Sequence, residues 1–270
     1  NYGSCRVCSV EVALKEDGPG RVVASCHTPV APGYYIYPST EKIKRLRKNI
    51  LELVLSEYPH ERLTPEPGML PTEFQSVVAS AGSTDVRYPR KVTVYEKDKS
   101  RPYVWSDLTE CIKCYRCVRA CDELQTEHVL GILGRGADSR IIKGFDTTFH
   151  DSPCVSCGAC VQTCPTNALH DRYSVKTLKA DRTVRTTCTY CGVGCNLEVK
   201  VKDGVVKGIQ APPDGATNRG HTCVKGRYAF EFYNHPERLR SPLVRKNGVL
   251  TEVSWDEAYD YTAQRFREIK

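Results

Sequence analysis

Hydrophobic residues at every second position near the start of the chain predict a β-hairpin. Residues 10–14 form the first strand, the Gly-Pro-Gly segment at 18–20 makes the turn, and residues 21–25 form the second strand. The same pattern predicts two more hairpins, 129–133 with 140–142 and 197–201 with 205–209. The third hairpin turns at Asp203-Gly204, a pair that favours tight turns.

Apolar residues at helical spacing predict a helix near the start of the chain and another at its end. The first covers 40–58 with Thr40 as N-cap, and the last begins after Ser254, with Glu257 completing a capping box. The expected apolar faces are Ile43, Leu46, Ile50, Leu53 and Val54 in the first helix, and Ala258, Tyr261, Phe266 and Ile269 in the last.

Two intervening segments lack such a helical pattern. Residues 59–90 are rich in Pro, Gly, Ser and Thr, which predicts irregular structure. Val92 and Val94 predict a strand within 91–110. No apolar run approaches about 18 residues, so we expect no membrane span.

Fifteen cysteines in 270 residues point to metal chemistry, and eight of them form two dense runs. Each run reads C-x2-C-x2-C-x3-C, which is the bacterial ferredoxin pattern for two [4Fe-4S] clusters. Zinc and disulfides are the alternatives, but four Cys crowded into one short segment suit neither. The expected ligand sets are Cys111, Cys114, Cys117 and Cys164 for one cluster, and Cys154, Cys157, Cys160 and Cys121 for the other, with the fourth Cys of each run starting a helix.

Three further cysteines surround the first predicted hairpin. Cys5 and Cys8 precede it and Cys26 follows it, which gives three ligands of a plant-type [2Fe-2S] cluster. We expect the fourth ligand before residue 1, and hence an incomplete N-terminus. Use of this Cys pair for zinc or packing is the alternative.

The remaining four cysteines, Cys188, Cys191, Cys195 and Cys223, flank the third predicted hairpin. Two loops on one face of a small sheet would bring them together, which suits a third [4Fe-4S] cluster. Zinc is a stronger rival here, because C-x2-C with distant partners is a common zinc pattern.

The formal net charge of +7 raises the possibility of nucleic-acid binding. Four clusters with their thiolates add roughly −8, which leaves the assembled chain near neutral. Basic residues inside or beside the Cys runs then serve as counter-charge, and no nucleic-acid partner is expected. They include Lys113, Arg116, Arg119, Lys225 and Arg227.

The cluster motifs together resemble a known family. Residues 187–195 read Thr-Cys-Thr-Tyr-Cys-Gly-Val-Gly-Cys and 222–227 read Thr-Cys-Val-Lys-Gly-Arg, which looks like the N-terminal cluster domain of molybdopterin oxidoreductases, formate dehydrogenases above all. The upstream arm resembles that of NAD-linked formate dehydrogenases, [FeFe] hydrogenases and the large peripheral subunit of complex I. The whole succession is similar to the catalytic (alpha) subunit of soluble NAD-dependent formate dehydrogenases.

This resemblance implies an α+β chain of five parts. They are a β-grasp [2Fe-2S] ferredoxin-like domain (1–39), a helix with a linker (40–90), a 2[4Fe-4S] ferredoxin-like domain (91–180), a small β-rich [4Fe-4S] domain (181–240) and the start of the pterin-binding region (241–270). Since the last helix runs to Lys270 without a closing signal, we also expect the chain to be incomplete at this end.

The resemblance also implies an electron-relay function. Formate would be oxidised to CO2, or CO2 reduced, at a molybdenum or tungsten bis-molybdopterin guanine dinucleotide, and Lys225 would lie between cluster and pterin, or else act as counter-charge. Expected partners are a diaphorase subunit carrying FMN and NAD and a small [2Fe-2S] subunit. Low-potential clusters favour a cytoplasmic location.

The sequence departs from the family pattern in two places. Relatives commonly carry a cluster with one His and three Cys ligands after the first long helix, whereas 56–65 contains His60 but no Cys. The family's catalytic residues are expected beyond this chain, so none is assigned here.

The alternative is an electron-transfer subunit of a complex I-like or NAD-reducing hydrogenase assembly. The second complete ferredoxin run argues against complex I, and the Cys-Gly-Val-Gly-Cys domain argues against an [FeFe] hydrogenase.

Overall fold

The computed structural model describes residue 3 and residues 5–82 and 85–270. The chain forms two compact units, one ending at Ala229 and the other beginning at Phe230. Helices and short antiparallel sheets alternate in an α+β arrangement. Within the described ranges, no helix combines the length and the apolarity needed to cross a membrane.

The first unit begins with a three-stranded antiparallel sheet in the order β2-β1-β3. The predicted hairpin is confirmed as β1 (Ser9–Ala13) and β2 (Arg21–Ala24), and β3 (Tyr35–Tyr37) adds a strand that the sequence pattern did not predict. Arg47 ties the following helix to this sheet by donating to the carbonyls of Val7 (3.1 Å) and Ser9 (2.7 Å).

The first predicted helix is confirmed as α1 (Glu41–Ser56), with the Thr40 hydroxyl accepting a hydrogen bond from the Ile43 N–H. Its predicted apolar face is wrong in part, because Leu53 is 51% exposed, whereas Leu51 and Leu55 are buried. The buried face is set by the tertiary partners of the helix rather than by its own sequence. Leu51 and Leu55 pack into a small core with Tyr58, Phe74 and Val78.

The prediction that 59–90 is irregular is wrong at α2 (Glu73–Ala81). The helix begins with a capping box in which Thr72 and Gln75 bond each other's backbone, and this Thr-x-x-Gln signal was present in the sequence. Phe74 and Val78 bury its inner face against α1, so tertiary packing stabilises a short helix of nine residues.

The predicted strand at Val92 and Val94 is also wrong. Residues 91–97 belong to no strand, and Val94 is 81% exposed. The strand lies later, at β4 (Val104–Ser106), which pairs antiparallel with β7 (Leu169–Asp171). This pair closes the cysteine-rich segment at its two ends.

Between β4 and β7, the predicted hairpin is confirmed as β5 (Leu130–Leu133) with β6 (Arg140–Lys143). Helix α3 (Arg116–Arg119) continues as one π-helical turn, Ala120–Leu124, and α4 (Ala159–Thr163) lies opposite. Their shared core contains Val104, Cys117, Leu130, Ile141, Phe149, Cys160, Val161, Leu169 and Tyr228.

The expectation that the fourth Cys of each run starts a helix is wrong. Each helix begins before the third Cys, and Cys164 forms the C-cap of α4 while Cys121 lies in the π-helical turn after α3. The helix start therefore follows the loop that carries the first two thiols.

The first unit ends with the sheet β8 (Arg182–Thr187), β9 (Asn196–Lys202) and β10 (Val205–Gln210), followed by α5 (Val224–Tyr228). The predicted third hairpin is confirmed as β9 and β10. The second unit contains α6 (Glu231–Asn234), the hairpin β11 (Leu243–Lys246) with β12 (Val249–Glu252), and α7 (Trp255–Ile269), capped as predicted by Ser254.

Candidate metal centres

Four thiols line one cavity between the loop before α3 and the end of α4. We call this set the first ferredoxin centre, and it consists of Cys111, Cys114, Cys117 and Cys164. Lys113 and Tyr115 take left-handed backbone conformations on either side of Cys114, which lets the chain wrap around the cavity. The Lys113 N–H donates to the Cys111 sulfur at 3.4 Å.

A second cavity is built in the same way, except that three of its thiols come from the second cysteine run and one from the first. The second ferredoxin centre consists of Cys121, Cys154, Cys157 and Cys160, which line this cavity together. Ser156 and Gly158 take the left-handed positions of Lys113 and Tyr115. The N–H groups of Ser156 and Val129 donate to the sulfurs of Cys154 and Cys121, each at 3.4 Å.

The surroundings of both cavities disfavour free thiolates. Burial raises the pKa of Cys111 to about 12 and that of Cys114 to about 11, and it also raises the pKa values of Cys117 and Cys160. A bound metal must therefore displace these protons. Four soft donors in a buried cavity, with N–H groups aimed at sulfur, fit an iron–sulfur cluster. In the described part of the chain, no group of three or more His, Cys, Asp or Glu side chains is arranged to hold a single ion.

The N-terminal centre consists of Cys5, Cys8 and Cys26, which line a common cavity. The first hairpin brings them together, because Cys8 directly precedes β1 and Cys26 follows β2, and Ser25 N–H and Oγ both bond the Cys8 carbonyl. Cys114 of the first ferredoxin centre lines the same cavity. The two centres are therefore immediate neighbours.

The C-terminal centre, defined as Cys188, Cys191, Cys195 and Cys223, lies at one end of the β8–β10 sheet. The Cys188 N–H bonds the Cys195 carbonyl at 2.8 Å, which closes the loop that contains Cys191. Cys223 is the N-cap of α5, and a Cβ built on Gly226 in that helix would lie 3.5 Å from the Cys188 sulfur. Lys225 is exposed on the same helix.

Lys176 contributes to the first ferredoxin centre although no motif singled it out. Its ammonium donates to the carbonyls of Cys164 (2.8 Å) and Thr166 (2.6 Å) and so fixes the chain that leaves the fourth thiol. Burial lowers the pKa of Lys176. The sequence offered no signal for it, since the residue lies twelve positions after Cys164 and acts through backbone oxygens.

Two known iron–sulfur families match this chain, one over the two ferredoxin centres and one over the C-terminal centre. Residues 181–235 match the family described as Molybdopterin oxidoreductase Fe4S4 domain, and residues 110–168 match the family described as 4Fe-4S dicluster domain. A chain from the crystal structure of an NAD+-reducing [NiFe]-hydrogenase in the H2-reduced state is similar with a TM-score of 0.53 and 30% identity, over 64% of this chain and 70% of that one.

The chain thus carries a 4Fe-4S dicluster domain followed by the iron–sulfur domain of molybdopterin oxidoreductases. Among curated relatives, a subunit of an NADH-quinone oxidoreductase of Rhizobium meliloti (strain 1021) is 32% identical over 97% of the chain. A protein named "Putative formate dehydrogenase SH0748", of Staphylococcus haemolyticus (strain JCSC1435), is 28% identical over 99% of it. The chain spans 30% of the length of each of these two relatives.

Proposed function

We propose that this chain is the electron relay of a larger enzyme that oxidises formate to CO2, or reduces CO2, at a molybdenum or tungsten bis-molybdopterin guanine dinucleotide. The proposal rests above all on the two ferredoxin cavities, each of which takes three thiols from one run and the fourth from the other. Bound in these cavities and at the other two centres, three [4Fe-4S] clusters and one [2Fe-2S] cluster would supply one-electron transfer.

The sequence of neighbouring centres supports a linear relay. The C-terminal centre adjoins the second ferredoxin centre through α5, since the Arg227 Nε donates to the Cys157 carbonyl at 3.0 Å. The two ferredoxin centres share the core between α3 and α4. The first ferredoxin centre shares a cavity with the N-terminal centre. The relay can therefore proceed without the family's His-ligated cluster, whose region contains no Cys.

The two ends of this relay suggest its partners. Lys225 follows Cys223 on α5 and is exposed, so its ammonium can reach a pterin held by residues outside this chain. Cys5 is exposed at the opposite end of the relay. A diaphorase subunit with FMN and NAD, and a small [2Fe-2S] subunit, would receive electrons there.

The second candidate is an electron-transfer subunit of a complex I-like or NAD-reducing hydrogenase assembly. The 32% identity to the Rhizobium meliloti NADH-quinone oxidoreductase chain, over 97% of this chain, favours it, as does the hydrogenase structure. Both candidates need the same clusters, and they differ in the reductant and in the presence of a Mo or W centre.

The deciding experiment uses the complete enzyme as isolated from its source. Elemental analysis should find about fourteen iron atoms per copy of this chain, from three [4Fe-4S] clusters and one [2Fe-2S] cluster, with one Mo or W. Formate should then give the same cluster EPR signals as dithionite. Full iron without Mo or W, and with no response to formate, would favour the second candidate. Zinc in place of iron would contradict both.

A further inference from the structure

One buried cation at the second ferredoxin centre is not accounted for by ligand chemistry. Arg227 is only 3% exposed, and it lies on α5, which belongs to the C-terminal centre rather than to the ferredoxin runs. Its Nε donates to the Cys157 carbonyl at 3.0 Å, and its Nη1 donates to the Gln162 side-chain oxygen at 2.6 Å. One guanidinium thus bonds both the loop and the helix that carry the second centre's thiols.

The contact is close as well as charged. A Cβ built on Gly158, the residue after Cys157, would lie 2.5 Å from the Arg227 Cδ and 2.8 Å from its Nε. The side chain therefore lies directly against the backbone of the cysteine loop. Gln162 is itself held in place, because its amide donates to the Ala211 carbonyl at 2.7 Å.

The charge of Arg227 is not neutralised by any of these contacts. Both of its acceptors are uncharged, and among the described residues its third nitrogen, Nη2, is buried without a hydrogen-bond partner. A buried positive charge with neutral partners is costly unless a negative group lies nearby. The buried Asp171 carboxyl is one acidic group that interacts electrostatically with Arg227, and the Cys157 thiol is another. The thiolates of the second centre are the negative groups that the proposed function adds there.

We propose that Arg227 is a positioning residue that raises the reduction potential of the cluster at the second ferredoxin centre. Reduction adds one electron to a group that is already negative, so a fixed positive charge in a low-dielectric setting favours the reduced form. The C-terminal centre thereby carries, on its own helix, the charge that makes its neighbour a better acceptor. This inference rests on the proposed function, because it requires a cluster at Cys121, Cys154, Cys157 and Cys160.

The test is an EPR-monitored redox titration of the complete enzyme with Arg227→Gln, Arg227→Lys and two controls. Arg227→Gln should lower the equilibrium constant for one-electron reduction at the second centre about tenfold, which is a potential lower by 59 mV. Arg227→Lys keeps the charge and should restore most of that difference. Gln162→Glu keeps the side-chain size and its bond from Nη1 and offsets the charge, although it gives up the bond to the Ala211 carbonyl. It should lower the same potential, and it decides the question if Arg227→Gln does not fold.

Two controls separate charge at this place from other effects. Arg185→Gln removes an equal charge from an exposed arginine that pairs with Glu198 and Asp214, and Tyr228→Phe alters the next buried residue of α5 without changing charge. Arg185→Gln should leave the potential unchanged, and Tyr228→Phe should shift it by less than Arg227→Gln does.

The outcomes also separate this inference from the proposed function. Full iron with an unchanged potential in Arg227→Gln would overturn the role of Arg227 and leave the relay intact. An equal shift in Tyr228→Phe, or loss of only this cluster in Arg227→Gln, would overturn it in favour of a structural role. A wild-type protein without iron at these four cysteines would contradict the proposed function itself.

Discussion

Gly158 has a conformation and a position that another residue could not easily share. Its φ of +76° lies in the left-handed region, and the Tyr228 hydroxyl and Arg227 crowd the space where a Cβ would stand. The glycine therefore serves two purposes, the turn after Cys157 and the close approach of α5. Tyr115 fills the equivalent left-handed position in the first run, where no such approach is needed.

We expect Gly158→Ala to destabilise the protein more than its backbone strain explains. Left-handed strain costs about 1 kcal/mol and overpacking a further 1–3 kcal/mol or so. Gly204→Ala is the matched control, because Gly204 has a φ of +74° but nothing within 4 Å of its Cβ position. Thermal unfolding should show a fall of about 2–4 °C for the control and at least twice that for Gly158→Ala. Equal falls would mean that the approach of α5 contributes nothing.

At the scale of elements, the sequence predicted hairpins well and segments held by tertiary contacts poorly. Alternation and an Asp-Gly turn are local signals, so β9 and β10 were predicted correctly. The face of α1 was not, because Leu51 and Leu55 are buried by α2, which is distant in sequence. Residues 91–103 were predicted poorly for a related reason. This segment is held by side chains such as Thr109, which accepts a hydrogen bond from the Tyr95 N–H, and by a single antiparallel bridge between Asp98 and Ser106 of β4.

Asp98 attaches that segment through its backbone and its side chain, and its N–H and carbonyl pair with Ser106 of β4, both at 2.9 Å. Its carboxylate accepts hydrogen bonds from the Lys143 ammonium and the Phe149 N–H, both at 2.8 Å, and from Ser100. Although burial works in the opposite direction, these hydrogen bonds lower the pKa of Asp98 to about 2. A depressed pKa means that the stabilisation is complete above the unfolded value near 4 and disappears as the pH falls towards 2.

Asp98→Asn should therefore lower stability at neutral pH by about 1 kcal/mol, after allowance for solvent screening, or about 2–4 °C in the thermal midpoint. The difference from wild type should stay constant between pH 5 and 8, because the carboxyl is ionised throughout in both the folded and the unfolded state. Asp138→Asn is the control, since its ion pair with Lys91 is exposed and should be worth nothing measurable. A difference that grows or shrinks between pH 5 and 8 would contradict this assignment.

At the scale of the whole molecule, the order of the centres follows from contacts between segments that are distant in sequence. β4 and β7 close the ferredoxin segment, α2 bonds the chain after Cys164 through the Phe74 N–H to the Pro165 carbonyl (2.9 Å), and α5 docks on the Cys157 loop. Motif spacing predicts which thiols hold each cluster, and that assignment stays a prediction. The spacing could not predict which centres adjoin, because the contacts between centres join residues that are distant in sequence. Arg227 contacts the Cys157 loop, and Glu73 forms an ion pair with Arg116 beside the N-terminal centre.

The exchange of the fourth thiol between runs gives the sharpest prediction at this scale. Cys164→Ala should abolish the same cluster signal as Cys111→Ala, and Cys121→Ala the same signal as Cys154→Ala, because each pair lines one cavity. Iron analysis with EPR and Mössbauer spectra of the four reduced variants measures this directly. If each run instead held its own cluster, Cys164→Ala would match Cys154→Ala. That outcome would remove the principal support for the relay, since the exchanged thiols join the two ferredoxin centres across α3 and α4.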